Sequence, residues 1–301
     1  MLVFDSTPSP KVWNSWKARL LEGLYRSALA RFEQASGESP EDVGDMVVQR
    51  KREALAHLRF FALGNSVQNQ FWKQLDDVYF LRHTDEEIAW HTRCLYYRVH
   101  ENKPIVRARP NPEGEGIQAL VYAPDQPDLF VKLCAYFSSI GYSIMDAKVH
   151  TTRHGYALDS FNLLDTSNRD MDRETCAIIE HDLLEVLAGN LKSIPPSTGR
   201  VSRQVRSFPI APDVLIETDE SGERYVVSIR AADRTGLLYA IAETFARHGA
   251  ALHTARISTL GERAEDTFLI SGRSLSQSRD RVLLENDLLE QLTINPSTVK
   301  T

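Results

Sequence analysis

The sequence predicts an α+β protein in which an N-terminal helical region is followed by two ferredoxin-like βαββαβ domains. Three observations support this prediction. Apolar residues recur at helical spacing through the first hundred residues, strand-like alternation follows a Pro- and Gly-rich stretch, and the second half contains an internal repeat. We expect a helical region at 1–103, repeated domains at 115–193 and 225–301, and a linker with short strands at 194–224.

The helical region is predicted from apolar spacing and helix-end signals. Lys11–Phe32 carries apolar residues at helical spacing, and a second helix is expected over Glu41–Leu63 after a polar break. The aromatic-rich segment Asn69–Leu81 is expected to form one or two short helices. Thr84 begins another helix, because the segment Thr84–Glu87 has the pattern of a capping box.

Two breaks separate the predicted domains. A loop is predicted between Glu101 and Ile117, where prolines and glycines cluster, and strand-like alternation begins at Ile117. A second break lies at Ser193–Gly199. The basic segment that follows, Arg200–Phe208, is interpreted as a strand with a solvated or ion-paired face rather than as a nucleic-acid patch.

Segments Ile117–Asp165 and Tyr225–Gly272 repeat one another. Residues of the same type recur 108 positions apart, and 107 apart after a one-residue deletion in a turn; examples are Asp125 with Asp233, Gly141 with Gly249, and Asp159 with Asp266. Each copy has a strand, an Asp-led turn, a helix, two strands and a closing helix. This order leaves room for a fourth strand and therefore predicts a ferredoxin-like sandwich.

The first turn of the second copy is the predicted ligand site. Its helix N-terminus offers free N–H groups that favour a carboxylate, and Gly236 allows a ligand or backbone to approach closely. Asp233 or Arg234 would then complement the charged groups of an amino acid. The alternative, given equal weight, is that Asp233 caps the helix and Arg234 is a surface residue. The candidate ligand-binding residues are Asp233, Arg234, Thr235, Gly236 and Leu237.

The first copy departs from this pattern, because Asp128 stands where the second copy has Gly236. A carboxylate at a helix N-terminus would obstruct and repel an anionic group of a ligand. The second copy is therefore expected to be the better binder. The first copy is expected to bind weakly or to supply a facing strand at Asp146–Val149, and its candidate residues are Asp125, Gln126, Asp128, Asp146 and Ala147.

The second repeat resembles an ACT domain, a module that binds amino acids, in its first turn and in Ala255–Phe268. More narrowly, nearly the whole chain resembles the C-terminal part of the bacterial [protein-PII] uridylyltransferase/uridylyl-removing enzyme family. Asp146–Phe161 is similar to that family's first ACT copy, and Lys11–Lys17 and Leu81–His91 are similar to its helical region.

That resemblance implies a function in nitrogen regulation. The implied ligand is glutamine or another small amino acid, and the implied partner is the PII signalling protein. The bound ligand would restrain uridylylation of PII and favour removal of the uridylyl group.

The motif sets that this family uses for catalysis are absent from the sequence. We find neither a Gly-Ser or Gly-Gly turn followed by paired acids nor a His…His-Asp…Asp set. His181-Asp182 is expected to face solvent on the second helix of the first repeat, and His83 and His91 lack a third convergent ligand. We therefore expect no catalytic residue, no metal ligand and no activity of this chain alone; Mg²⁺ would belong to catalytic domains outside it.

Composition limits the remaining function classes. The formal net charge of −6 argues against binding to nucleic acid or an anionic membrane surface, and the apolar runs are too short for a membrane helix. The three cysteines form no disulfide framework, and the N-terminus lacks the features of a signal peptide, so a reducing cytoplasm is expected.

Alternative functions remain open. One is a non-catalytic interaction module that docks PII or self-associates as a homodimer through its sheets. Another is a fragment or degenerate relative of the enzyme that retains uridylyl transfer. RNA binding is disfavoured, because an aromatic RNP pattern and a basic face are both absent.

Overall fold

The computed structural model describes most of the chain from residue 43 to residue 293. The described residues are 43–59, 61, 63, 70–112, 114–126, 128–165, 172–191, 210–219, 224–260 and 262–293. The predicted helix at 11–32, the break at 193–199 and the basic segment at 200–208 lie outside these residues.

The described part of the N-terminal region is helical, as predicted. Its elements are α1 (Val43–Arg59), a 3₁₀ turn (Trp72–Gln74), α2 (Asp77–Arg82) and α3 (Asp85–Leu95). The capping box is confirmed: Thr84 Oγ1 accepts the Glu87 N–H at 3.2 Å, and the Thr84 N–H donates to the Glu87 carboxylate at 2.9 Å. Among the described helices, we find none with the length and apolar character needed to cross a membrane.

The rest of the described chain forms two repeat units of the same order, ββαββα, except that the second has an additional two-residue strand, β8. The first unit contains β1 (Ile105–Pro110), β2 (Ile117–Pro124), α4 (Leu129–Ser139), β3 (Tyr142–His150), β4 (Tyr156–Asp165) and α5 (Arg173–Leu187). The second unit contains β5 (Asp213–Thr218), β6 (Tyr225–Ala232), α6 (Leu237–Arg247), β7 (Ala251–Arg256), β8 (Thr259–Leu260), β9 (Arg263–Ser271) and α7 (Ser278–Leu292). The predicted α+β class is confirmed, and the exact domain boundaries stay a prediction.

The outermost strand of each unit precedes the other strands in the chain. The loop predicted between Glu101 and Ile117 is wrong in part, because β1 lies there and pairs antiparallel with β2. Its prolines are compatible with an edge strand, where a missing N–H breaks no ladder on the outer side. On the outer side of this edge strand, where no further strand follows, the Ala108 N–H donates to the Glu180 carboxylate of α5 at 2.8 Å. In the second unit β5, within the predicted linker, takes the same position.

The strands form one antiparallel sheet that runs through both units, in the order β1-β2-β4-β3-β7-β9-β6-β5, with β8 paired to β9. The units meet at β3 and β7, which we call the seam. The seam has three residue pairs, Lys148–Arg256, Val149–Ala255 and His150–Thr254, whereas eight pairs join β2 to β4. The seam is therefore a short connection between two larger ladders.

The two faces of the sheet have different coverings. The inner face of both units packs on α4–α7 in one core that includes Leu133, Phe137, Ile241 and Phe268. The outer face of the first unit packs on α1–α3 in a second core, through residues such as Leu120, Tyr122 and Leu158. The described helices α1–α3 therefore cover the outer face of the first unit.

Candidate functional site

Two clefts lie between the units, and the internal repeat relates them. The Asp233 cleft lies between residues 233–238 and Asp266 of the second unit and residues 142–144 of the first. The Asp125 cleft lies between Asp125, Gln126 and Asp159 of the first unit and Ala251 and Leu252 of the second. Each cleft therefore combines the first turn of one unit with a strand of the other.

The first turn of the second unit ends at Gly236, which is the N-cap residue of α6 and has a left-handed φ of 79°. The Asp233 N–H donates to the Glu262 carbonyl at 2.8 Å, and the Leu237 N–H donates to the Arg234 carbonyl at 3.1 Å. The prediction that Asp233 caps the helix is wrong, because Asp233 lies three residues ahead of the N-cap position. Asp233 instead lines the cleft.

Asp233 and Arg234 have different surroundings. Burial raises the pKa of Asp233, the Arg234 backbone N–H opposes that rise and Glu262 adds to it. Burial lowers the pKa of Arg234, whose Nη2 donates to the Gln291 carbonyl of α7 at 2.6 Å. Arg234 is thus already engaged by α7, so Asp233 is the more available charged group of the predicted pair.

Each cleft contains a buried aspartate from the middle of a strand, and neither aspartate is among the predicted site residues. Asp266 Oδ1 accepts the Ser258 N–H at 3.2 Å, and Asp159 Oδ1 accepts the His150 N–H at 3.4 Å. Burial raises the pKa of Asp266 to about 7 and that of Asp159 to about 8. The signal was present in the repeat, since an acidic residue inside an apolar strand is costly unless it has a partner.

The structure does not bring the first unit's candidate residues together. Asp125 and Gln126 line the Asp125 cleft. Asp128 is exposed and pairs with Lys132 at 2.8 Å, and Ala147 is buried in the inner core. Asp146 lies beside Lys148 in the contact with the helical region, where Asn162 Nδ2 donates to it at 3.3 Å. The segment facing Asp233 is 142–144 rather than the expected 146–149.

The histidines that were considered as metal ligands either contact other protein groups or face solvent. His83 and His91 are buried between the helical region and the sheet: His83 Nε2 lies 3.3 Å from Ser160 Oγ, and His91 Nδ1 lies 2.8 Å from Tyr79 Oη. Burial lowers the pKa of both histidines. His181 is exposed and Cys134 is buried. Within the described ranges, no three His, Cys, Asp or Glu residues are arranged to hold a metal.

Sequence comparisons place this arrangement among known proteins. Residues 42–94 match the family described as "Uridylyltransferase GlnD fifth domain". The chain is 50% identical over 286 residues to a bifunctional uridylyltransferase/uridylyl-removing enzyme of Aromatoleum aromaticum, and 49% identical over 291 residues to one of Ralstonia nicotianae. The sequence is homologous to the C-terminal third of these bifunctional enzymes. Each alignment covers 95% of this chain and 33% of the relative, so the chain spans about one third of their length.

Among solved structures, the crystal structure of aspartate kinase from Synechocystis is similar to 60% of this chain. The match covers 29% of that chain with 13% identity and a TM-score of 0.34. At this TM-score and identity, the match carries no information about functional sites. The ACT-like character of the units rests instead on their own topology and on the homology above.

Proposed function

We propose that this chain is the regulatory region of a bifunctional uridylyltransferase/uridylyl-removing enzyme and senses a small amino acid, glutamine, in the clefts between its two ACT-like units. The observation that carries the proposal is the repeated construction of the clefts. Each has an Asp-led turn, a helix N-terminus and a buried aspartate, and each is completed by the other unit. A ligand bound there contacts both units and so affects their relative arrangement.

The chemistry of the Asp233 cleft suits a zwitterionic amino acid. The ligand's ammonium group would pair with Asp266 or Asp233, because charge-assisted hydrogen bonds are among the stronger polar contacts. Its carboxylate would meet the N-terminus of α6, where the helix dipole favours negative charge. The choice of glutamine follows from the resemblance to the family.

The proposed output is control of reactions that take place outside this chain. Bound glutamine would restrain uridylyl transfer to the PII protein and favour uridylyl removal. The catalytic groups, with their Mg²⁺, would belong to the two thirds of the relatives that this chain does not span. A cytoplasmic location accords with this role.

Isothermal titration calorimetry of the chain with L-glutamine tests the proposal. We expect saturable binding that Asp233→Ala or Gly236→Asp reduces by at least about tenfold, equal to about 1.4 kcal/mol. Asp213→Ala, on β5 outside both clefts, is the matched control and should bind as the unsubstituted chain does. Absence of both binding heat and a thermal shift with glutamine would contradict the proposal.

A second candidate function is docking of PII, or of another copy of the chain, without a ligand. It is favoured by the outer side of β5, where Leu215 is 51% exposed at the end of the sheet. A pull-down with PII in buffer free of amino acids distinguishes the two functions. Capture that persists without glutamine and is lost in Leu215→Asp would support docking, and capture that requires glutamine would support sensing.

A further inference from the structure

Arg82, the last residue of α2, extends from the helical region to the seam between the units. Its guanidinium donates to Thr254 Oγ1 and to the Ala255 carbonyl of the second unit, and Nη1 lies 3.4 Å from the Val149 carbonyl of the first. Thr254 Oγ1 also donates to the Val149 carbonyl at 2.8 Å. One side chain of the helical region therefore contacts both strands of the seam.

The other polar contacts of α2 and α3 with the sheet join them to the first unit. Glu87 pairs with Lys148 at 2.7 Å, and His83 contacts Ser160. These contacts fix the helical region on the first unit. If the second unit moves relative to the first, the groups of β7 that Arg82 contacts move relative to α2.

The seam also adjoins the clefts. Val149, whose carbonyl faces Arg82, lines the Asp125 cleft, and Ile257, which directly follows β7, lines the Asp233 cleft. The seam has three residue pairs, so few ladder hydrogen bonds resist a small rotation between the units. A ligand held between the units would change the arrangement of the groups that Arg82 contacts.

We propose that Arg82 couples ligand binding in the inter-unit clefts to the helical region, by clamping the seam from the face opposite the clefts. This inference rests on the proposed function for the identity of the ligand. Arg82 contacts no ligand in this scheme and acts by positioning. Allosteric coupling of this kind requires that the ligand favour one arrangement of a two-state element, which here is the seam.

Hydrogen–deuterium exchange of the chain with and without L-glutamine tests the coupling. At a glutamine concentration about 100 times Kd, amides whose opening requires ligand release exchange up to about 100-fold more slowly. In the unsubstituted chain we expect slowing both at the clefts and in α2 and α3. In Arg82→Gln, the clefts should still be slowed, and the slowing in α2 and α3 should fall to less than about twofold.

Arg153→Gln is the matched control. Arg153 also joins the first unit to the helical region, through the Lys73 carbonyl at 3.3 Å, but its contact lies away from the seam. It should leave the slowing in α2 and α3 intact. Arg82→Lys keeps the charge but not the two-pronged contact, and serves as the milder variant if Arg82→Gln does not fold.

The outcomes separate the two proposals. Slowing at the clefts but not in α2 and α3 of the unsubstituted chain, or equal slowing of α2 and α3 with and without Arg82, would overturn the coupling and leave glutamine sensing standing. If glutamine slows no amide, glutamine sensing fails. The ligand-free samples then test whether Arg82 clamps the seam. Faster hydrogen–deuterium exchange of the seam amides in Arg82→Gln than in Arg153→Gln supports the clamp, and equal exchange overturns it.

Discussion

The outer faces of the two units are built on corresponding strands but have different surroundings. In the first unit, Leu120 and Leu158 are buried beneath α1–α3. The repeat places Ser228 and Glu265 at the same positions of the second unit, where they line an open groove. The repeat has therefore kept the inner face and the clefts in common, while among the described residues the outer face of the first unit packs against helices and Ser228 and Glu265 of the second do not.

The largest expected effect of this difference is on stability. Leu158→Ala removes buried side-chain volume between the sheet and the helical region and should lower the free energy of unfolding by about 2–5 kcal/mol. The matched change Glu265→Ala, on the open face, should alter it by less than about 0.5 kcal/mol. Urea unfolding followed by circular dichroism measures both, and similar losses in the two variants would show that the outer faces do not differ as described.

The second prediction compares the two buried aspartates. If the Asp233 cleft is the main site, Asp266→Asn should weaken glutamine binding by about 10- to 100-fold, because a charge-assisted hydrogen bond contributes about 1.5–3 kcal/mol. Asp159→Asn, in the corresponding position of the other cleft, should change it by less than about threefold. Calorimetry measures the glutamine affinity of both variants. A larger loss of affinity in Asp159→Asn would indicate that the Asp125 cleft is the main site.

The third prediction concerns pH. Burial raises the pKa of Asp266 to about 7, and an ammonium group pairs with the ionised carboxylate. Lowering the pH protonates Asp266 and should weaken binding, whereas binding should level off above pH 8. Between pH 8 and pH 6 the fraction of ionised Asp266, and with it the affinity, should fall by about tenfold. The affinity of Asp266→Asn for glutamine, measured by calorimetry, should not change with pH in this range. If Asp266→Asn keeps the pH dependence of the unsubstituted chain, Asp266 does not contact the ligand.

The smallest expected effect is that of Asp128→Gly. The sequence predicted that Asp128 weakens ligand binding in the first unit, but its exposed side chain pairs with Lys132. Removing an exposed ion pair of this kind should lower the free energy of unfolding by at most about 0.5 kcal/mol, and no second glutamine-binding site should appear. A second glutamine site detected by calorimetry in Asp128→Gly would show that the sequence argument was right.

The elements whose cause is local were predictable from sequence. The capping box at Thr84 depends on a few neighbouring residues. Apart from β1, β5 and the two-residue β8, the order of strands and helices within each repeat followed from the alternation of apolar residues. These features need no knowledge of distant contacts.

The features that depend on distant contacts were not predictable. Ile105–Pro110 contains an arginine-rich, proline-bounded sequence that favours a loop until β2 and Glu180 supply its hydrogen bonds. The separation of Asp146 from Asp125 depends on which face of β3 meets the helical region. The role of the buried aspartates appears only when the two units come together around the clefts.

An NMR titration with L-glutamine tests whether the ligand binds between the units. Backbone amide resonances would be followed in the chain labelled with ¹⁵N and ²H. We expect residues 233–238 of the second unit and 142–144 of the first to shift together, with one common dissociation constant. Shifts confined to one unit, or located on the open outer face of the second unit, would contradict it.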